Sequence, residues 1–206
     1  MTQSVTMWFD VSCPFAWMTS RWLKEVEKVR DVEVTFQPMS LSIVNDGRDL
    51  DLDYVKAMEA NWGPARVFAK VADNNPDKVD ELYTVMGTAV HTNGDGHKLG
   101  YGAYNEIIKN ALAEVGLPAD YADVADDPAA DEALHKYHDE AIKLVGDEVG
   151  TPVIKLGETA FFGPVITRKP EGEDAGEIFD AAVRLAQFPY FFELKRSRTE
   201  MPQVKA

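Results

Sequence analysis

The chain has 206 residues, 45% of them apolar, enough for one domain carrying a large insertion or for two small ones. A formal net charge of −14 argues against nucleic acid and against an anionic membrane surface, because each needs a basic patch; it reads as a solubilising surface. The opening MTQSVTMWFD holds no apolar run behind a basic stretch, and no segment is long enough to span a bilayer, so the expectation is a cytoplasmic protein whose single cysteine stays reduced.

Residues 5–9, VTMWF, are β-branched and aromatic and predict a buried strand. Pro14 suits the first turn of a following helix, where its missing N–H costs nothing. Phe15, Met18, Trp22, Val26 and Val29 recur every three or four residues and give that helix one apolar face, ending near Arg30. In VEVTFQ, Val32, Val34 and Phe36 alternate with Glu33, Thr35 and Gln37, a second strand; the three elements make a parallel βαβ unit. From 49 to 147 the β-branched runs vanish. LDYVKAMEANW, DKVDELYTVMGTAVH, GYGAYNEIIKNALAEV and DEALHKYHDEAIKLV are helical by period, separated by Gly, Asn and Pro breaks. TPVIKL and TAFF flank Gly157-Glu158 as an antiparallel hairpin, a last helix runs from about Asp174 to Gln187, and the charged remainder reads as a surface-hugging tail. The order βαβ, helical block, ββα is that of an α/β thioredoxin-like fold interrupted between its halves. Residues 1–48 plus 148–206 form the thioredoxin-like domain, and 49–147 an inserted helical subdomain.

Cys13 stands between the first strand and the first helix. Unpaired N–H groups and the partial positive charge of a helix start favour an anion, and thiolate is the reactive form of cysteine. The junction also lies at the carboxyl edge of the sheet, where sites of open α/β sheets form. A reactive thiol of lowered pKa is therefore the expectation, against the alternative of a small buried hydrophobe. Thr151-Pro152 precedes a strand, as a proline is allowed to do. A cis bond there would turn the Thr151 backbone toward the thiol, to pair with an extended substrate; an ordinary trans bond is the alternative. Trp17 packs beside the helix start or shapes a pocket. Trp62, Arg66 and His91 come from the helical block and could form a lid over Cys13, with Arg66 holding a substrate carboxylate; packing and solvation are the plainer readings. His135 and His138 have i, i+3 spacing, but DEALHKYHDEA reads as a solvated helix face rather than a metal site. NGDGHKLGYG lacks the strand-then-helix setting of a phosphate loop and reads as a flexible linker.

CPFA after FDVS, the large helical insertion, and GTPVI before FFGPV resemble the DsbA-like thioredoxin superfamily, which includes kappa-class glutathione transferases and hydroxychromene-carboxylate isomerases. TSRWLKEVEKVRDVEV, MSLSIVN, NWGPARV, VGTPVIKLGETAFFGPV and PYFFELKRSRTEMPQ carry a closer resemblance, to the actinobacterial mycothiol-dependent nitroreductases, also described as mycoredoxin-like DsbA proteins. The resemblance implies that Cys13 is the nucleophile in a motif formed with Pro14, Phe15 and Ala16. It implies that Thr151-Pro152 is the cis-proline loop, and that Trp62 and His91 fall where the helical lid meets the site. The low-molecular-weight thiol would be mycothiol, with no metal. The family motif is Cys-Pro-x-Cys; Ala16 stands where the resolving cysteine belongs, so no intramolecular disulfide can form. Ala16 is either engineered or a natural monothiol feature, and the otherwise intact dithiol pattern favours the first.

The reading is a thiol-disulfide oxidoreductase. Cys13 thiolate would form a mixed disulfide with mycothiol and reduce disulfides or nitro-aromatic and other electrophilic substrates. The alternatives are a kappa-type transferase or isomerase using a low-molecular-weight thiol as cofactor, and a non-catalytic binding or holdase module. The oligomeric state is left open, a homodimer included.

Overall fold

The strands come together around the first one. In a computed structural model, which describes residues 2–204, β1 (Gln3–Phe9), β2 (Val32–Pro38), β3 (Val153–Leu156) and β4 (Thr159–Phe162) form one sheet in the order β2-β1-β3-β4. β1 and β2 are parallel, from Gln3 opposite Val32 to Phe9 opposite Pro38; β3 runs antiparallel to β1, and β4 antiparallel to β3. Successive side chains of a strand point to opposite faces. Val5, Met7 and Phe9 enter the main core, while Trp8 joins a smaller cluster with Met39, Ala141 and Val153. Both faces of β1 are thus covered, which is why VTMWF is apolar throughout rather than alternating.

The helices are α1 (Pro14–Val29), α2 (Leu41–Asn45), α3 (Leu52–Asn74), α4 (Val79–Gly87), α5 (Asn105–Glu114), α6 (Asp131–Val145) and α7 (Gly172–Ala186), with a π turn at Thr88–Thr92 and short 3-10 segments at Pro76–Lys78, Ala119–Asp126 and Pro128–Ala130. Of the stripe expected of α1, Met18, Trp22 and Val26 are in the core, joined by Leu23, while Phe15 and Val29 are only partly buried. Trp22 is fully buried, and its indole N–H donates to Ala175 O of α7 at 3.0 Å, so a side chain worth about 1.5–3 kcal/mol in burial leaves no polar atom stranded. α7 comes close enough to α1 that a Cβ on Gly176 would meet the Arg30 guanidinium.

α3 differs from expectation. Instead of breaking at Gly63-Pro64 it continues for 23 residues with Pro64 inside. Pro64 gives up one backbone hydrogen bond. Burial of almost everything from Ala60 to Ala72, including Val67, Phe68 and Val71, holds the helix together across that gap. Among the described residues no helix is long and apolar enough to cross a membrane.

Candidate active site

Cys13 is the N-cap of α1, in extended conformation at φ −81° and ψ 113°. Its Sγ accepts the Ala16 N–H at 3.5 Å, and its carbonyl accepts the Trp17 N–H at 3.0 Å. The thiol itself faces Thr151 O, also at 3.5 Å, across 138 positions of sequence. Thr151-Pro152 is cis, and so is Gly163-Pro164 in the loop after β4, where Pro164 O accepts from Thr19 Oγ at 2.7 Å.

Asp10 ties these pieces together. Its Oδ1 accepts from Ser12 N–H at 2.8 Å and from the Ser12 hydroxyl at 2.7 Å, its Oδ2 accepts the Leu41 N–H at 2.8 Å, and its own N–H donates to Thr151 Oγ at 3.3 Å. One buried side chain thereby fixes the Cys13 turn against the start of α2, and its backbone holds the Thr151 loop. Burial pushes the Asp10 carboxyl up, against the pull of the donors from Leu41 and Ser12.

The thiol departs from expectation. Cys13 is 6% exposed. Burial pushes its pKa up and the charge of Asp10 adds to this, while the amides of Ala16 and Phe15 and the Thr151 hydroxyl pull the other way. A helix start favours thiolate, but here desolvation outweighs it. The resting sulfur is therefore held as a neutral thiol, not the low-pKa thiolate expected from its place in the chain.

Trp17 and His91 form an aromatic wall beside this turn. Their rings stack at 5.7 Å with 23° between planes, the Trp17 edge meets Tyr83, and the Arg21 guanidinium lies 4.3 Å over the indole. His91 Nε2 is 2.8 Å from Val11 O. A carbonyl can only accept, so this nitrogen carries the proton and the ring is the donor. Burial holds the pKa of His91 down to about 4. The π turn carrying His91 follows Gly87, where any Cβ would collide with the Trp17 ring. Glycine at this point is what lets α4 approach the indole.

Trp62 and Arg66 are engaged with each other and with α6. The Arg66 guanidinium lies 5.2 Å over the Trp62 ring, grips Asp131 with Nε at 2.6 Å and Nη2 at 3.2 Å, and donates through Nη1 to Ala125 O at 2.9 Å. The expected substrate clamp is thus an internal ion pair between α3 and α6, beside a cavity of about 490 Å³ lined also by Asp46, Tyr101 and Asp126. His138 corrects a second expectation: it is buried, not on a solvated face, and its Nδ1 accepts the Ser40 N–H at 3.4 Å, while His135 is exposed. No group of His, Cys, Asp and Glu among the described residues is arranged to hold a metal. The NGDGHKLGYG segment is tied down by Gly96 N–H to Val90 O at 3.0 Å and Gly100 N–H to Lys56 O at 2.8 Å.

Comparison with known proteins bears on this arrangement directly. The family described as Rv2466c-like, mycothiol-dependent nitroreductase Rv2466c, matches residues 12–196. The chain belongs to that family. The match begins one residue before Cys13 and ends in the C-terminal segment, so it takes in the cysteine turn, the helical block and the cis-proline loop together. A relative in Mycobacterium tuberculosis, the uncharacterized protein Rv2286c, is 26% identical over 197 residues, 95% of this chain and 83% of that one. Solved structures similar to this chain have the DsbA-like thioredoxin fold. One is described as the "probable DsbA oxidoreductase SCO1869" of Streptomyces coelicolor (TM-score 0.59, 16% identity, covering 96% of this chain and 94% of that one). Another is the cytosolic disulfide reductase DsbM of Pseudomonas aeruginosa, solved with GSH (TM-score 0.56, 12% identity, 88% and 99%).

Sequence reading found Cys13, Thr151, Pro152, Trp17 and His91, which the fold gathers at one place. It missed Tyr83, whose ring stacks on Phe9 at 3.7 Å and meets Trp17 edge-on. It also missed Arg198, whose guanidinium sits 4.8 Å over Phe15. The available signal for Arg198 was a basic run, KRSR, in a strongly acidic chain.

Proposed function

We propose that this protein is a cytoplasmic mycothiol-dependent reductase in which Cys13 is the reacting thiol. The observation that carries the reading is the placement of Cys13 Sγ between the Ala16 amide and Thr151 O of the cis-proline loop. This site suits a thiol substrate: it offers a sulfur to react with and, at Thr151, a backbone edge against which a peptide-like group can pair. Mycothiol, as substrate, supplies the reducing electrons. Once deprotonated, Cys13 attacks one sulfur of a disulfide. A new S–S bond forms on Cys13, the old one breaks, and the departing sulfur leaves with the electron pair. With Ala16 in the resolving position, a second small thiol must attack the mixed disulfide to release Cys13. Nitro-aromatic or other electrophilic substrates would draw on the same thiol pool. Trp17 and the donor His91 supply a flat wall beside the sulfur, while Pro14 and Phe15 shape its turn.

Intact mass after treatment with excess oxidised mycothiol tests this. One mycothiol on Cys13, persistent until reduced, is the expected result; an unmodified protein overturns the reading. A second reading has one observation in its favour. The raised pKa of Cys13 suits a thiol that positions a cofactor sulfur without bonding to it, as in a kappa-type transferase or isomerase. Cys13→Ser separates the two, since that activity would survive the change and thiol-disulfide exchange would be lost.

A further inference from the structure

The C-terminal segment turns back across the molecule and comes to lie beside the Cys13 turn. Phe191 meets Phe161 of β4 edge-on, with centroids 5.8 Å apart. The Glu200 carboxylate accepts from Arg168 Nε at 3.0 Å and Nη2 at 2.8 Å, and from the Thr167 hydroxyl at 2.7 Å. The Gln203 N–H donates to Thr167 O at 2.7 Å, and Val204 packs on the core. Between these anchors Arg198 is held with its guanidinium 4.8 Å from the centroid of Phe15, two residues past Cys13 in the first turn of α1.

Three other arginines are committed to carboxylates: Arg30 to Glu173 and Asp180, Arg66 to Asp131, Arg168 to Glu200. Arg198 is exposed, and like Arg21, Arg48, Arg184 and Arg196 it makes no salt bridge to a carboxylate among the described residues; what sets it apart is its seat on Phe15, beside Cys13. Stacking on a ring engages the face of the guanidinium and leaves its edge, a fork of N–H donors matched to a carboxylate, free to bind. In a chain with 35 acidic and 21 basic residues, a cation held beside the site without an acid to neutralise it is a feature that a ligand can use.

We propose that Arg198 and Phe15 form an anion-accepting subsite next to Cys13, selecting aryl electrophiles that carry a carboxylate on the ring. The proposal rests on the reading of Cys13 as the reacting thiol. Phe15 gives the aryl group an apolar face and holds the guanidinium in place, and the free fork takes the carboxylate. An uncharged reducing thiol gains nothing from this subsite, so reductant and electrophile are told apart by charge.

Cys13 is the one cysteine in the chain, so an aryl disulfide reports on that sulfur alone. In the test reaction Cys13 thiolate attacks one sulfur, the S–S bond of the probe breaks, a mixed disulfide forms on Cys13, and the coloured aryl thiolate leaves with the electron pair. Second-order rate constants are measured for dithiobis(nitrobenzoate), with a carboxylate on each ring, and for uncharged dithiodipyridine. Arg198→Ala should lower the ratio of the two constants about fivefold, the size of one screened charge pair, and Arg198→Glu should lower it further. Arg198→Lys should restore part of the ratio, and high salt should erase the difference. An unchanged ratio overturns the subsite, as does a shift in the pH midpoint of Cys13 that moves both probes equally, since Arg198 would then act on the sulfur. If Cys13 of the unaltered protein reacts with neither probe, the underlying reading of Cys13 fails and the subsite falls with it.

Discussion

Two influences of opposite sign meet on the Cys13 sulfur. The N-cap position directs the Ala16 and Phe15 amides at it, and burial beside Asp10 removes the water that would solvate its charge. Because burial dominates, alkylation by iodoacetamide should climb about tenfold per pH unit and level off only above the ordinary thiol value of about 8.5. Thiolate absorbance in the ultraviolet should give the same midpoint. A plateau already reached near neutral pH would mean that the helix start wins. Asp10→Asn should bring the midpoint down, because the negative charge facing the sulfur is gone. Under the proposed function, reactivity at neutral pH then depends on the sulfur gaining better contacts when a substrate pairs with Thr151. Cys13 as a whole is 6% exposed at rest.

Among the helices, the Arg66–Asp131 pair decides what α3 and α6 do for the site. The Arg66 side chain is 6% exposed and that of Asp131 28%, so the arginine is the partner that cannot return to water. Removing the carboxylate leaves a buried cation with Ala125 O as its one hydrogen-bond acceptor and the Trp62 ring beside it, and Asp131→Ala should cost about 2–4 kcal/mol in urea denaturation. Arg66→Met should cost less, because the apolar replacement fills the space and Asp131 can be solvated. Both variants should keep the unaltered rate of Cys13 with dithiodipyridine. A stable Arg66→Met protein with a raised KM for carboxylate substrates alone would restore Arg66 as a substrate clamp. The pairing was hidden from sequence because the partners are 65 positions apart, and their meeting depends on α3 running straight through Pro64.

Across the whole molecule, what was legible is what is local. An unbroken β-branched and aromatic run marked β1, periods of 2 and 3.6 residues marked β2, α1 and α7, and the Gly157-Glu158 connection marked the hairpin; their order was enough for the thioredoxin-like frame. Cys13 and Thr151-Pro152 were legible because each stands just before a regular element. Burial was not legible, and it accounts for the errors at Cys13 and His138. Cys13 is closed in by a loop 138 positions away, and His138 by the packing of α6 on the second face of the sheet. The same burial gives the fold a pH dependence. His91 and His138 are both held down to about 4, by desolvation first, from an ordinary value of 6.5. As pH falls below about 6.5 the unfolded chain takes up two protons that the folded one refuses, so stability is lost progressively down to about pH 4. Asp10 has the opposite sign: its folded pKa is raised, so acidification relieves a cost, but only as pH falls through the folded value toward the ordinary 3.8. Glu200, held down to about 2 by Arg168, loses its contribution only below the ordinary 4.5. The destabilising part of the upper acid limb is therefore a histidine effect, with Asp10 opposing it. Melting temperatures followed by circular dichroism should fall steadily through that window. His91→Phe keeps a ring against Trp17 and removes one of the two protons, so it should halve the slope even as the loss of the Val11 bond lowers every melting point. A slope unchanged by His91→Phe would mean that the folded protein accepts the proton at His91, and that the imidazole beside Cys13 is a cation in mild acid rather than the neutral donor its bond to Val11 indicates.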